Sequence, residues 1–172
     1  MALVVEDGSG KTDAESYLSV ADADTYHTKH GGSTDWSGAE TADKEEALRM
    51  ATQYLDAVYH ERWEGRRVSR DQALDWPRGW VEDRDGFAVD SDDIPAKLED
   101  ACAELAVRHI TETDGLLPDL SDPGIVASEA VAVGPVKVST QYMGGNSPVT
   151  EFRIVEALLR GLIRPVGEIQ RA

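Results

Sequence analysis

The chain has 172 residues, enough for one domain with an appended arm or tail. Its 33 acidic and 17 basic residues leave a formal net charge of −16, which sets the surface as a whole against DNA, because nucleic-acid affinity comes mostly from cations that neutralise phosphates. No apolar run approaches the ~18 residues that cross a bilayer, and the single Cys102 cannot form an internal disulfide.

Residues 2–5 read as a short extended arm, ending in the turn Glu6-Asp7-Gly8-Ser9-Gly10. The arm lacks the basic region of a signal peptide, so synthesis and use in a cytoplasm are expected. Ser19-Val20-Ala21-Asp22 is a capping-box start for a first helix over about 20–30, and Gly31-Gly32 end it. Residues 33–41 read as a polar loop holding Trp36. A second helix is expected over about 42–59, with Ala47, Ala51, Tyr54, Leu55 and Val58 at helical spacing. Residues 60–92 form a connection longer than an ordinary loop, the kind that serves a function or is ordered by a partner. Asp92-Asp93-Ile94-Pro95 opens a third helix, with the proline in its first turn. Its stripe of Ile94, Leu98, Ala101, Cys102, Leu105 and His109 completes a three-helix core.

The character changes after residue 113. Gly115, Pro118, Pro123 and Gly124 mark a linker. From Val131 to Tyr142 the chain alternates: Val136, Val138, Thr140 and Tyr142 fall on one face, Lys137, Ser139 and Gln141 on the other. This predicts a β-hairpin arm over about 126–142 with Gly134-Pro135 at the turn. A lone hairpin is marginal in water, so it needs a neighbour. Gly144-Gly145-Asn146-Ser147-Pro148 is a second joint. A last amphipathic helix over about 151–163 carries Val155, Leu158, Leu159, Leu162 and Ile163 on one side. The fold class expected is mainly α: a small helical bundle, a projecting β-hairpin and a C-terminal docking helix. The divisions are 1–113, 114–150 and 151–172.

No motif selects an active site, a cofactor or a metal. Gly8-Ser9-Gly10-Lys11-Thr12 fails as a phosphate loop because Val5 stands where that motif needs glycine; a flexible turn is expected instead. Asp83-Arg84-Asp85-Gly86 fails as a calcium loop, since alignment on Gly86 puts Val81 at the first ligand position; a tight turn is expected. His27 and His30 lack a third ligand and read as solvent-exposed. Cys102 reads as core packing. No Ser/His/Asp or paired-carboxylate spacing stands out, and an enzyme is not expected.

The most informative stretch is Arg62-Trp63-Glu64-Gly65-Arg66-Arg67, followed by Gln72-Ala73-Leu74-Asp75-Trp76-Pro77-Arg78. Tryptophan and arginine dominate the energy of protein contacts. Two readings stay open for Trp63, Arg66, Arg67, Trp76 and Arg78. In one they cap the helical core, with arginine stems covering the indoles. In the other they meet an adjoining subunit.

Several stretches, in one order over most of the chain, resemble the head–tail adaptor proteins of tailed bacteriophages, also called connector or head completion proteins. They are Leu3-Val4-Val5-Glu6-Asp7-Gly8, Ser16-Tyr17-Leu18-Ser19-Val20-Ala21-Asp22-Ala23-Asp24, Ala51-Thr52-Gln53-Tyr54-Leu55-Asp56, Trp63-Glu64-Gly65-Arg66-Arg67, the block from Gln72 to Arg78, Asp83-Arg84-Asp85-Gly86, Ile94-Pro95 and Gly134-Pro135-Val136-Lys137-Val138. Gene transfer agents use similar adaptors. The resemblance implies a virion protein, made in a bacterial host, that forms a ring of about twelve subunits between portal and tail. Its implied partners are the portal protein, a tail-side stopper or tail terminator, and copies of itself. DNA would pass through the ring without specific binding, and no membrane or cofactor is involved. The partner-contacting residues expected are the five named above, Val136, Val138 and Tyr142 of the hairpin, and Val155, Leu158, Leu159, Leu162 and Ile163 of the last helix docking on the portal. Some such sequences carry the label DnaT-like single-stranded-DNA-binding protein, and that activity is the alternative.

Overall fold

The computed structural model describes residues 2–112, 116, 128–133, 136–141 and 152–164. The linker, the Gly134-Pro135 turn, Tyr142, the second joint and the last residues lie outside these. The protein is a helical bundle with small antiparallel hairpins, as the sequence predicts.

Helix α1 (Val20–Lys29) starts where the Ser19 side chain accepts from the Asp22 amide at 3.1 Å. Gly31 and Gly32, at φ 96° and 73°, take the chain out of it. The expected polar loop that follows holds a short helix, α2 (Thr34–Gly38), capped by Ser33. Its Trp36 is buried, and the indole donates to Asp24 at 2.7 Å. His27 is buried against that indole, not exposed as expected, and burial holds its pKa below the ordinary value. Helix α3 (Thr41–Tyr59) and helix α4 (Ala96–Thr111) pack on each other and bury most of the stripes read from sequence; Val58 and His109 are half-buried, and Ile94 is buried just ahead of α4. Cys102 lies between them beside the Thr52 hydroxyl, and burial pushes its thiol up to about 11.

The long connection is built rather than loose. Strand β1 (Arg66–Arg67) pairs antiparallel with β2 (Arg78–Gly79), and β3 (Val81–Glu82) with β4 (Ala88–Val89). The expected flexible turn at 8–12 is also organised. The buried Glu6 carboxylate accepts from the amides of Gly8, Gly10 and Lys11 at 2.8–3.0 Å. A Cβ on Gly8 would lie 1.9 Å from the Asp92 carbonyl oxygen, so this turn closes directly on the end of the connection.

Contacts divide the chain into two units, residues 1–116 with 152–172, and residues 117–151. The second contains β5 (Ser128–Val133) and β6 (Val136–Gln141), antiparallel with Val133 opposite Val136. This is the expected hairpin; residues 134–135, where the turn was expected, lie outside the described residues. The C-terminal segment, set apart from the core in the sequence reading, belongs to the first unit. Helix α5 (Arg153–Leu159) packs on α4. Val155, Leu159, Leu162 and Ile163 are buried in the same core as α3 and α4, and Leu158 packs against it. These five side chains therefore do not form a free docking face. Backbone bonds fix the segment to the connection: Glu64 N–H to the Leu162 carbonyl at 3.0 Å, and Arg164 N–H to the Arg62 carbonyl at 2.7 Å. The Arg62 guanidinium adds a two-pronged bond to Glu156 at 2.7 and 3.2 Å. The reason is geometric. A wide apolar stripe needs some apolar wall, and α4 offers one within reach.

Candidate interaction surface

The connection splits its tryptophans and arginines into an inner and an outer set. Trp63 and Trp76 are 1% and 0% exposed. Their rings meet edge to face at 5.8 Å, with Tyr59 against Trp63. The Trp76-Pro77 bond is cis. Arg78 is buried too. Its guanidinium donates to the carbonyls of Glu64 (2.7 Å), Asp75 (3.2 Å) and Gly65 (3.0 Å), and burial lowers its pKa. Of the two sequence readings, the core-capping one describes Trp63, Trp76 and Arg78; these side chains are enclosed and do not face an adjoining subunit.

A polar knot ties the inner set to the helices. Tyr17 donates to the Asp56 carboxylate, and the Asp75 amide donates to both Tyr17 Oη and Asp56, each at 3.1 Å. Asp75 in turn sits 2.8 Å from His60 Nδ1. Burial pushes Asp56 up to about 7; the Tyr17 bond works against this and the Asp75 charge works with it. The knot holds the Trp76 block against α3 from two sides.

The outer set is Arg66, Arg67, Trp80 and Phe87. Trp80 is 78% exposed and Phe87 71%. Large apolar side chains left this exposed on an ordered scaffold point to a contact surface. Among the described residues Trp80 is also the one non-glycine with a positive φ, 58°. A bulky residue there costs on the order of 1 kcal/mol or more and persists where its surroundings hold it. The Arg66 guanidinium lies over its ring at 4.3 Å. Gly65, at φ 62°, brings β1 so close to β2 that a Cβ would stand 2.3 Å from the Gly79 carbonyl oxygen. That approach sets Arg66 beside Trp80.

Phe87 is held at the tip of the β3–β4 hairpin. The Asp83 carboxylate accepts from the Asp85 and Phe87 amides at 2.9 and 2.8 Å. This is the tight turn expected, and the described residues contain no cluster able to hold a metal. Gly161 (φ 108°) leaves room for Arg84 of the same turn; a Cβ there would stand 3.1 Å from the Arg84 backbone. Both aromatics are thus fixed in place before any partner arrives, which lowers the ordering cost of contact.

The sequence reading found Arg66 and Arg67 but missed Trp80 and Phe87. A signal was present. Both flank the Asp83-Gly86 turn and neither keeps register with an apolar stripe, so no internal partner was implied. Val136 and Val138 lie on β6, and Tyr142 falls outside the described residues.

No curated protein and no solved structure matches the chain. A family model described as "Putative DnaT-like ssDNA binding protein" matches it over residues 1–172, from end to end, and the chain belongs to that family.

Proposed function

We propose that the protein is a structural adaptor of a phage-like particle, joining portal and tail in a ring through the Trp80 surface. The observation that carries this reading is Trp80 itself: exposed, in a strained left-handed conformation, stacked by arginine, and pinned by Gly65. Tryptophan and arginine on a rigid frame are the side chains that anchor protein contacts. The adaptor resemblance supplies the portal, the tail-side protein and copies of itself as partners, and DNA passes without specific binding. The β5–β6 hairpin, in a compact unit of its own, supplies a second element that gains by packing on a neighbour.

The second reading is single-stranded-DNA binding. Two observations favour it: the family description, and an aromatic beside exposed arginines, which is how base-stacking platforms are built. Charge weighs against it. Residues 60–92 hold six arginines and nine carboxylates, so even this arginine-rich connection carries a net of −3 in a chain at −16. With Arg62 and Arg78 engaged internally, Arg66, Arg67, Arg70 and Arg84 remain to meet phosphates. Full use of about four cations gives a salt slope near −3, roughly a fifty-fold loss of affinity between about 50 and 200 mM salt.

One pair of measurements separates the readings. Tryptophan quenching by a single-stranded oligonucleotide is titrated at both salts, and purified particles are imaged at the portal–tail junction. The adaptor reading expects no quenching at the higher salt and a ring of this protein at the junction. Tight oligonucleotide binding with that slope, lost in Trp80→Ala, with no ring present, would replace it by the second reading.

A further inference from the structure

Trp80 stands between two concavities and is the residue common to both. One, of about 550 Å³, is lined by Arg66, Arg67, Val68, Gly79 and Ser91. The other, of about 560 Å³, is lined by Glu64, Val81, Glu82, Ala88, Gly161 and Ile163. Across this surface the order is therefore cation, indole, carboxylate. Among the described residues Arg66 has no carboxylate partner and Glu82 has no cation partner; Glu64 shares a loose pair with Arg164 at 3.7 Å.

Such an order is self-complementary. When a second copy is turned by a two-fold axis that lies in the contact plane and crosses the cation–carboxylate line at Trp80, each arginine concavity faces a carboxylate concavity. The two indoles then meet at the axis. In an isologous contact a residue away from the axis pairs with a different residue of its twin, so charge matching on one side is repeated on the other. A polyanion finds only half of this surface favourable, whereas a second copy finds both halves favourable.

We propose that the free protein pairs through Trp80 as a two-fold dimer, with Arg66 and Arg67 of each copy against Glu82 and Glu64 of the other. The pairing covers the indole that the adaptor reading uses on the particle, and so keeps that surface closed until a portal competes for it. That role rests on the adaptor reading; the pairing itself stands without it.

The experiment is sedimentation of the full chain over a range of concentrations and salts, with each variant's thermal transition confirming the fold. Wild type is expected to rise from one chain toward two, less so at high salt, and Trp80→Ala to remain single. Arg66→Glu alone puts carboxylate against carboxylate and stays single. Glu82→Arg alone puts cation against cation and stays single. An equal mixture of these two variants restores pairing. A wild type that is single up to about millimolar concentration, a larger closed oligomer, a dimer indifferent to Trp80→Ala, or a mixture that fails to pair would each overturn the proposal. Portal–tail imaging reads the adaptor function separately, so either can fail with the other intact.

Discussion

Replacing Arg78 with alanine tests whether the connection is a built part of the core. The guanidinium satisfies three carbonyls, those of Glu64, Asp75 and Gly65. Its contact with Asp75 is buried, and the other two are part-buried. An orphaned buried carbonyl costs about 1–3 kcal/mol, and the part-buried pair, which water can reach, costs about 1 kcal/mol each. The gross loss is then about 4 kcal/mol. Release of a buried cation returns part of it, since burial already depresses the Arg78 pKa. A net loss of about 3 kcal/mol lowers Tm by roughly 10 °C in a domain of this size. Arg78→Lys should recover little, because one ammonium cannot span three carbonyls as a planar fork does. Arg67→Ala is the control: its side chain is exposed and, among the described residues, bonds the Arg70 and Gln72 carbonyls, at 3.1 and 3.4 Å. Circular-dichroism melts with urea midpoints decide. An Arg78→Ala protein melting within about 2 °C of wild type would refute the reasoning.

Three further outcomes are expected. Asp56 is raised to about 7, so the folded state holds a proton that the unfolded state releases. The contribution is complete below the unfolded carboxylate range and is lost as pH rises through about 7, up to about 3 kcal/mol between pH 5 and 8. Asp56→Asn should flatten that slope in urea midpoints, and parallel slopes would count against the knot. Gly65→Ala needs a positive φ and meets the Gly79 carbonyl oxygen at 2.3 Å, so a loss above about 2 kcal/mol is expected in thermal melts; an unchanged Tm would contradict the close β1–β2 approach. Deleting residues from 150 onward removes the buried side chains Val155, Leu159, Leu162 and Ile163. At roughly 1.5–3 kcal/mol each this matches the whole stability of a domain, so the truncated chain should lose its cooperative transition; a soluble, sharply melting product would restore the docking-helix reading.

The helices were legible because their signals are local. Ser19 with Asp22, Gly31-Gly32 and the spacings of α3 and α4 each act within a few residues. Helix α2 was missed because five residues give too little periodicity, and His27 was placed outside because its cover, Trp36, sits on that missed helix. Within the connection, inside and outside are decided by distant groups. Trp76 is drawn in by the Tyr17 hydroxyl, 59 positions earlier in the chain, and Arg78 by carbonyls up to 14 positions away. Composition there shows tryptophan and arginine without showing which is which. The stripe on α5 was visible, but a stripe states only that some apolar wall will cover it. The charge order around Trp80 joins residues of β1, β3 and the turns between, and no single window of sequence contains it.

The chain leaves the helical unit at Leu116 and returns at Phe152, and both of these residues are buried. The segment between them is an excursion anchored at each end, and closing such an excursion costs free energy that grows only with the logarithm of its length. Doubling it adds roughly 0.6 kcal/mol. The arm's reach can therefore lengthen or shorten over evolutionary time with almost no consequence for the bundle. The return segment has no such freedom. A chain emerging from the ribosome exposes the apolar side of α4 until α5 follows, so every residue added to the excursion prolongs the interval in which the unfinished bundle can aggregate.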